Sequence, residues 1–163
     1  MSSEEMNVVL REVTPEDEPF LFEVYASTRM EELAETGWDE NQKRTFLRMQ
    51  FLARERSQPR VDDRIIVLDG RAIGRMLVDR GEAAILLRDI ALLPEYRNAG
   101  IGSRLLDDLK KEATAKGKPV ALHVLASNPA VRLYERLGFR SIAGADTLYE
   151  AAYLEMQWVP ATS

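Results

Sequence analysis

The chain contains no cysteine and a single histidine, His123. Absence of cysteine removes disulfides, thiolate metal sites and a cysteine nucleophile, and a lone histidine within a strand is more often structural than catalytic. Basic charge is also short: 22 Lys and Arg against 27 Asp and Glu leave a formal net charge of -5, which argues against a general nucleic-acid binder. No apolar run approaches membrane-spanning length, and Met1 to Asn7 lacks the positive and apolar regions of an export signal. A cytoplasmic protein bound to neither nucleic acid nor membrane is therefore expected. Repeats and low-complexity linkers are missing too. With 163 residues, 45% hydrophobic and 30% charged, the expectation is one globular domain over residues 1–163.

What is present alternates between strand and helix patterns. Val8 to Val13 reads as a strand, and Thr14-Pro15-Glu16-Asp17 then supplies an N-cap, a proline at the first helical position and acidic first-turn residues. Phe20, Leu21, Val24 and Tyr25 keep helical spacing. A second helix is predicted after Gly37-Trp38-Asp39, with Phe46, Leu47, Met49, Phe51 and Leu52 as its apolar positions up to the Ser57-Gln58-Pro59 break. Strands are predicted over Asp63 to Leu68, Ala72 to Val78 and Ala83 to Leu92, joined by turns at Asp69-Gly70 and Arg80-Gly81. Leu105, Leu106 and Leu109 mark one side of a helix that ends at Gly117. Val120 to Leu125 is a strand, Pro129 to Leu137 a helix closed by Gly138, and Tyr149 to Trp158 a final strand. The order is β-α-α-β-β-β-α-β-α-β-β, an α/β protein with a mixed sheet.

The chemistry concentrates at Leu92-Leu93-Pro94-Glu95-Tyr96-Arg97-Asn98-Ala99-Gly100-Ile101-Gly102-Ser103-Arg104, where a strand stops at a proline and a glycine-bearing turn opens a helix. The first amides of a helix have no intrahelical partner and sit at the positive end of its dipole, so they hold anions. Glycine lets a phosphate approach the main chain, and Arg97 beside the turn is a cation able to bind it in bidentate fashion. A dinucleotide fingerprint needs a further glycine where Leu105 stands, and a P-loop needs Lys after the glycine where Ser103 stands. Charge is distributed to suit an anion there. Residues 1–40 carry twelve Asp and Glu against Arg11 and Arg29, whereas residues 97–118 carry six Lys and Arg against three Asp and Glu. A solvated helix face is the alternative reading of those lysines.

Arg97-x-x-Gly100-x-Gly102 resembles the acyl-CoA pyrophosphate loop of the GNAT superfamily of N-acyltransferases, Gln/Arg-x-x-Gly-x-Gly/Ala. Downstream, Asn128-Pro129-Ala130-Val131-Arg132-Leu133-Tyr134-Glu135-Arg136-Leu137-Gly138-Phe139 resembles that superfamily's second signature, Asn-x-x-Ala-x-x-Leu-Tyr-x-x-x-Gly-Phe. The resemblance covers residues 8–158 in element order and 88–139 by motif. It implies a GNAT fold whose central parallel strands splay apart for acetyl-CoA, one N-acetyltransferase domain, and direct attack of an amine on the thioester without a metal. Its implied cofactor-binding residues are Ile90, Ala91, Leu92, Arg97, Asn98, Ala99, Gly100, Ile101, Gly102, Ser103, Asn128 and Tyr134.

Tyr134 matches the tyrosine near the CoA sulfur that acts as general acid, although a tyrosine at helical spacing with Val131 and Leu137 also suits a core. Arg88-Asp89 replaces the acidic dipeptide many relatives carry before the glycine turn. That leaves Asp89 as the candidate base or water-positioning group, with an ion pair to Arg88 or Arg75 as the alternative. The amine acceptor, a small amine, an amino acid or a protein amine, is expected to meet Arg29, Trp38 and Arg88. A binder or sensor of acyl-CoA without turnover is the rival reading. The oligomeric state stays open, a homodimer included.

Overall fold

The computed structural model describes residues 7–57, 61–125, 128–142 and 153–161. Seven strands form a mixed sheet: β1 (Val8–Glu12), β2 (Asp62–Leu68), β3 (Arg71–Arg80), β4 (Ile85–Leu92), β5 (Val120–Leu125), β6 (Arg140–Ser141) and β7 (Tyr153–Trp158), in the spatial order β1-β2-β3-β4-β5-β7-β6. Four α-helices complete the fold: α1 (Glu18–Arg29), α2 (Glu40–Ser57), α3 (Ile101–Lys116) and α4 (Ala130–Arg136). The element order is the one expected from the sequence. Residues 149–152 of the expected last strand lie outside the described residues, and β4 begins at Ile85 because Gly81 closes the preceding turn by donating to the Ala84 carbonyl at 3.0 Å.

The chain divides into two compact units, residues 1–76 with 90–97 and residues 77–89 with 98–163, so β3 and β4 each pass from one unit to the other. In the first unit, β1 pairs antiparallel with β2 from Val8↔Leu68 to Glu12↔Arg64. The connection into α1 is a single 3-10 turn, Pro15–Asp17. The Asp17 carboxylate accepts from the Thr14 N–H at 2.8 Å and from both terminal nitrogens of Arg11, at 2.8 and 2.9 Å. These donors hold its pKa far below the usual carboxylate range. Leu21, Phe22 and Ala26 of α1 bury against Leu47 and Phe51 of α2 and against Ile65 and Val67. The Phe22 and Phe51 rings meet edge to face, centroids 5.7 Å apart.

Of the apolar positions of α2, Leu47 and Phe51, four residues apart, pack in the core with α1, while Phe46 and Met49 are 37% and 67% exposed.

The hairpin between β2 and β3 turns through Asp69 (φ 52°) and Gly70 (φ 83°), the left-handed pair of a tight two-residue connection. The only strand glycine in β3, Gly74, has a different cause. A Cβ built there would stand 2.2 Å from the carbonyl oxygen of Ala91. Glycine is required because the β4 backbone passes through the space a side chain would fill.

In the second unit, Leu105, Leu106, Leu109 and Ala113 of α3 are buried together with Ile85, Leu87, Val120, Leu122, Met156 and Phe139. The helices α3 and α4 lie side by side: Lys110 Nζ donates to the Leu137 carbonyl at 2.8 Å, and the site of a Gly102 Cβ is 3.8 Å from Leu133. The final strand β7 pairs antiparallel with β5 over six residues, Val120↔Trp158 to Leu125↔Tyr153. By contrast, β4 pairs in parallel with β5 over only three, Ile85↔Val120, Leu86↔Ala121 and Leu87↔Leu122, although both strands continue. Arg88 and Asp89 on one strand, and His123 and Val124 on the other, lie beyond the last pair. This is the splay of the central parallel strands.

Candidate active site

The glycine turn opens helix α3 through left-handed backbone at Asn98 and Gly100. Arg97 is extended, Asn98 (φ 60°) and Gly100 (φ 85°) are left-handed, and Gly100 is the N-cap residue, with no side chain capping the first turn. The Arg104 N–H donates to the Gly100 carbonyl at 3.1 Å, so intrahelical bonding begins there and the Ile101, Gly102 and Ser103 amides precede it. The positive φ explains Gly100. Among the described residues none explains Gly102: a Cβ there would meet only the end of Leu133 at ordinary contact distance.

Arg97 departs from the picture of a guanidinium held for phosphate alone. Its Nε donates to the Leu92 carbonyl at 2.9 Å and its Nη2 to Ser27 Oγ at 3.4 Å, while its own amide donates to Pro94 at 3.2 Å. The arginine braces the turn against the strand it leaves. Ile90, Ala91 and Leu92 are half-buried on that strand, and the Leu93 amide donates to the Ile73 carbonyl at 2.8 Å. The Ala91 backbone is the one that Gly74 admits, so Gly74 belongs with the site although sequence reasoning did not single it out. An isolated glycine within a strand pattern was the available signal.

The charge of Asp89 bears on Tyr134. Tyr134, from α4, is 7% exposed and packs edge to face on Phe139 at 5.7 Å. Burial, and then the negative charge of Asp89, push its phenol up from 10 to about 12. Arg75 and Arg88, the alternative partners expected for Asp89, both engage other carboxylates. Arg75 forks onto Glu55 at 2.8 and 3.0 Å and onto Asp63 at 2.8 and 3.0 Å, and Arg88 meets Asp79 at 3.5 Å. Asn128 accepts from the Ala130 N–H at 2.9 Å through its side-chain oxygen, capping α4 and leaving its amide nitrogen as a donor.

The expected acceptor residues have separate local partners. Arg29 lies over the Tyr25 ring at 4.9 Å, near Glu32 at 3.9 Å, and Trp38 packs its ring on Phe46, centroids 5.2 Å apart, beside Asn41, Gln42, Thr45 and Met49. Arg88 belongs to the other unit, on the face of β4 opposite Asp89. His123, on β5, is exposed and stands 4.0 Å from Glu155. Among the described residues there is no group of three His, Asp or Glu able to hold a metal, and no helix long and apolar enough to cross a membrane.

A mixed sheet splayed between its parallel strands, with a glycine-opened helix at one strand end, defines the GNAT architecture. The comparisons agree: residues 61–141 match the family model described as an acetyltransferase (GNAT) domain, and the chain belongs to the GNAT superfamily. It is similar in structure to the PaiA N-acetyltransferase of Thermoplasma acidophilum in complex with coenzyme A, with TM-score 0.68 and 21% identity, covering 94% of this chain and 99% of that one. A similar likeness, TM-score 0.63 at 20% identity over 96% of each chain, holds for the ribosomal-protein-S18-alanine N-acetyltransferase of Escherichia coli. Among curated proteins, the human cysteine-rich protein 2-binding protein is 35% identical over 82 residues, half of this chain and a tenth of that protein's length.

Proposed function

We propose that this chain is a single-domain acetyl-CoA-dependent N-acetyltransferase that moves the acetyl group directly to an amine. The observation that supports the reading is Tyr134 of α4, buried on Phe139, whose phenol feels the charge of Asp89, a residue just past the last β4–β5 pair. The amides from Asn98 to Ser103 hold the CoA diphosphate, with Asn128 as a donor toward the pantetheine arm. The CoA-bound form of the Thermoplasma relative supports the choice of ligand.

In the reaction the amine nitrogen attacks the thioester carbon, and the C–N bond forms as the C–S bond breaks. Asp89 takes one proton from the nitrogen, directly or through a water. Tyr134 gives one to the departing sulfur, and return of the Asp89 proton to the phenolate closes the balance. The products are the N-acetyl amine and free CoA thiol.

The test is release of CoA thiol from acetyl-CoA across a panel of amines, with the acetylated product identified by mass spectrometry. Amine-dependent release is expected. Acetyl-CoA binding with no release for any amine would return the chain to the acyl-CoA-binding reading.

A further inference from the structure

Helix α2 carries a second stripe on the side away from its core. Leu47 and Phe51 are buried with α1, whereas Gln42, Phe46, Met49 and Ala53 recur at intervals of four, three and four residues around the opposite side, and all four are exposed. Those intervals are the seam along which one helix receives another. The positions beside the stripe, Thr45 and Gln50, are uncharged, although α2 as a whole is rich in charge. Trp38 packs its ring on Phe46, and the two line an open groove together with Gln42 and Met49.

The stripe is self-complementary when reversed. Laid antiparallel on itself about a point between Leu47 and Arg48, α2 sets Phe46 opposite Met49, Gln42 opposite Ala53 and Thr45 opposite Gln50. At the two ends it sets Asp39 opposite Arg56, both exposed. The pairs match in kind: a ring with a thioether, a long side chain with a methyl, a hydroxyl with an amide, a carboxylate with a guanidinium. Asp39 Oδ1 accepts from the Gln42 amide at 2.8 Å, and a carboxylate has a second oxygen for an arginine. A two-fold axis brings residue i to j and j to i, so reversal symmetry of this kind is what a contact between identical copies requires. Parallel pairing would set Asp39 on Asp39 and Arg56 on Arg56.

We propose that this face of α2 takes α2 of a second copy of the chain, antiparallel, with Met49 of each copy entering the groove beside Phe46 of the other. The paired positions from Asp39 to Arg56 use nearly the whole of the 18-residue helix, about 27 Å at its ordinary rise. A single helix seam lies at the small end of specific interfaces, so the dimer should form reversibly with concentration. The contact needs neither acetyl-CoA nor an acceptor.

The experiment is analytical ultracentrifugation of the full chain over a wide concentration range, with cysteine crosslinking to read the register. Wild-type protein should pass from one chain to two as concentration rises, and Met49→Glu should raise the dissociation constant about tenfold or more. Met49 is 67% exposed, so circular dichroism of that variant should stay that of the folded chain. Because the chain has no cysteine, Gln42→Cys and Ala53→Cys proteins mixed together should form a disulfide-linked dimer on mild oxidation. Neither should do so alone, since like positions would stand about 16 Å apart along the axis. A monomer at every concentration would overturn the proposal. So would a dimer that Met49→Glu leaves intact, or self-linking by either cysteine variant.

Discussion

The negative charge of Asp89 bears on the buried hydroxyl of Tyr134: burial first, and that charge second, raise the phenol from 10 to about 12. A group whose folded pKa is raised stabilises the fold fully below its unfolded pKa, and that contribution is lost as pH rises through the folded value. Stability on the order of 2 kcal/mol should therefore disappear between about pH 10 and 12. Tyrosinate absorbance should show one phenol titrating late, and Asp89→Asn should move its midpoint down while burial keeps it above the ordinary value. An unchanged midpoint would separate the two residues.

Gly102 provides a test of the anion seat that spares the fold. Its Cβ position meets only Leu133 at 3.8 Å, so Gly102→Val should leave the melting temperature nearly unchanged while its methyls crowd the helix amides. Calorimetry with CoA should show affinity reduced by about tenfold or more, as expected from losing a charge-assisted hydrogen bond worth about 1.5 to 3 kcal/mol. Gly100→Val mixes two effects, because φ 85° strains any side chain there.

Arg75 is a structural cation. It is 7% exposed and forks onto Glu55 of α2 and Asp63 of β2, and those two carboxylates hold its pKa above the ordinary value despite burial. Removing it leaves two half-buried carboxylates uncompensated. Arg75→Ala should cost about 3 to 5 kcal/mol in urea unfolding, and adding Glu55→Gln and Asp63→Asn should recover part of that loss.

How much of this was legible in the sequence follows from the range of each interaction. The helix and strand order came from periodicity and from local punctuation such as Asp69-Gly70, Gly117 and Gly138, all of which take positive φ at one or both residues. The glycine turn was legible for the same reason. The partners of Arg75 were not, because Glu55 lies 20 residues away and Asp63 lies 12 away, and nothing local distinguishes them from Asp89. Gly74 was missed because its cause is the Ala91 carbonyl, brought close only by the sheet. The exposure of Phe46 and Met49 shows a related limit: an apolar-rich helix offers more than one stripe, and the facing helix chooses.

Acid should weaken the second unit through Glu112. Arg80 on β3 holds its carboxyl down at about 2, with Lys116 one turn along α3 adding to the effect. A depressed carboxylate contributes above its unfolded pKa and loses that contribution as pH falls through the folded value. Stability measured between about pH 4.5 and 2 should therefore decline, and Arg80→Ala should flatten that part of the curve. A slope unaffected by Arg80→Ala would place the acid sensitivity elsewhere.

The central claim, that Tyr134 hands a proton to the CoA sulfur, is tested most directly by kcat of Tyr134→Phe on an acceptor the wild type acetylates. Phenylalanine keeps the edge-to-face packing on Phe139 and removes only the oxygen, so acetyl-CoA affinity and melting temperature should scarcely change. The account predicts kcat lower by on the order of 10²-fold with those two quantities preserved. Nearly full kcat, or joint loss of stability and activity, would contradict it and return Tyr134 to the core.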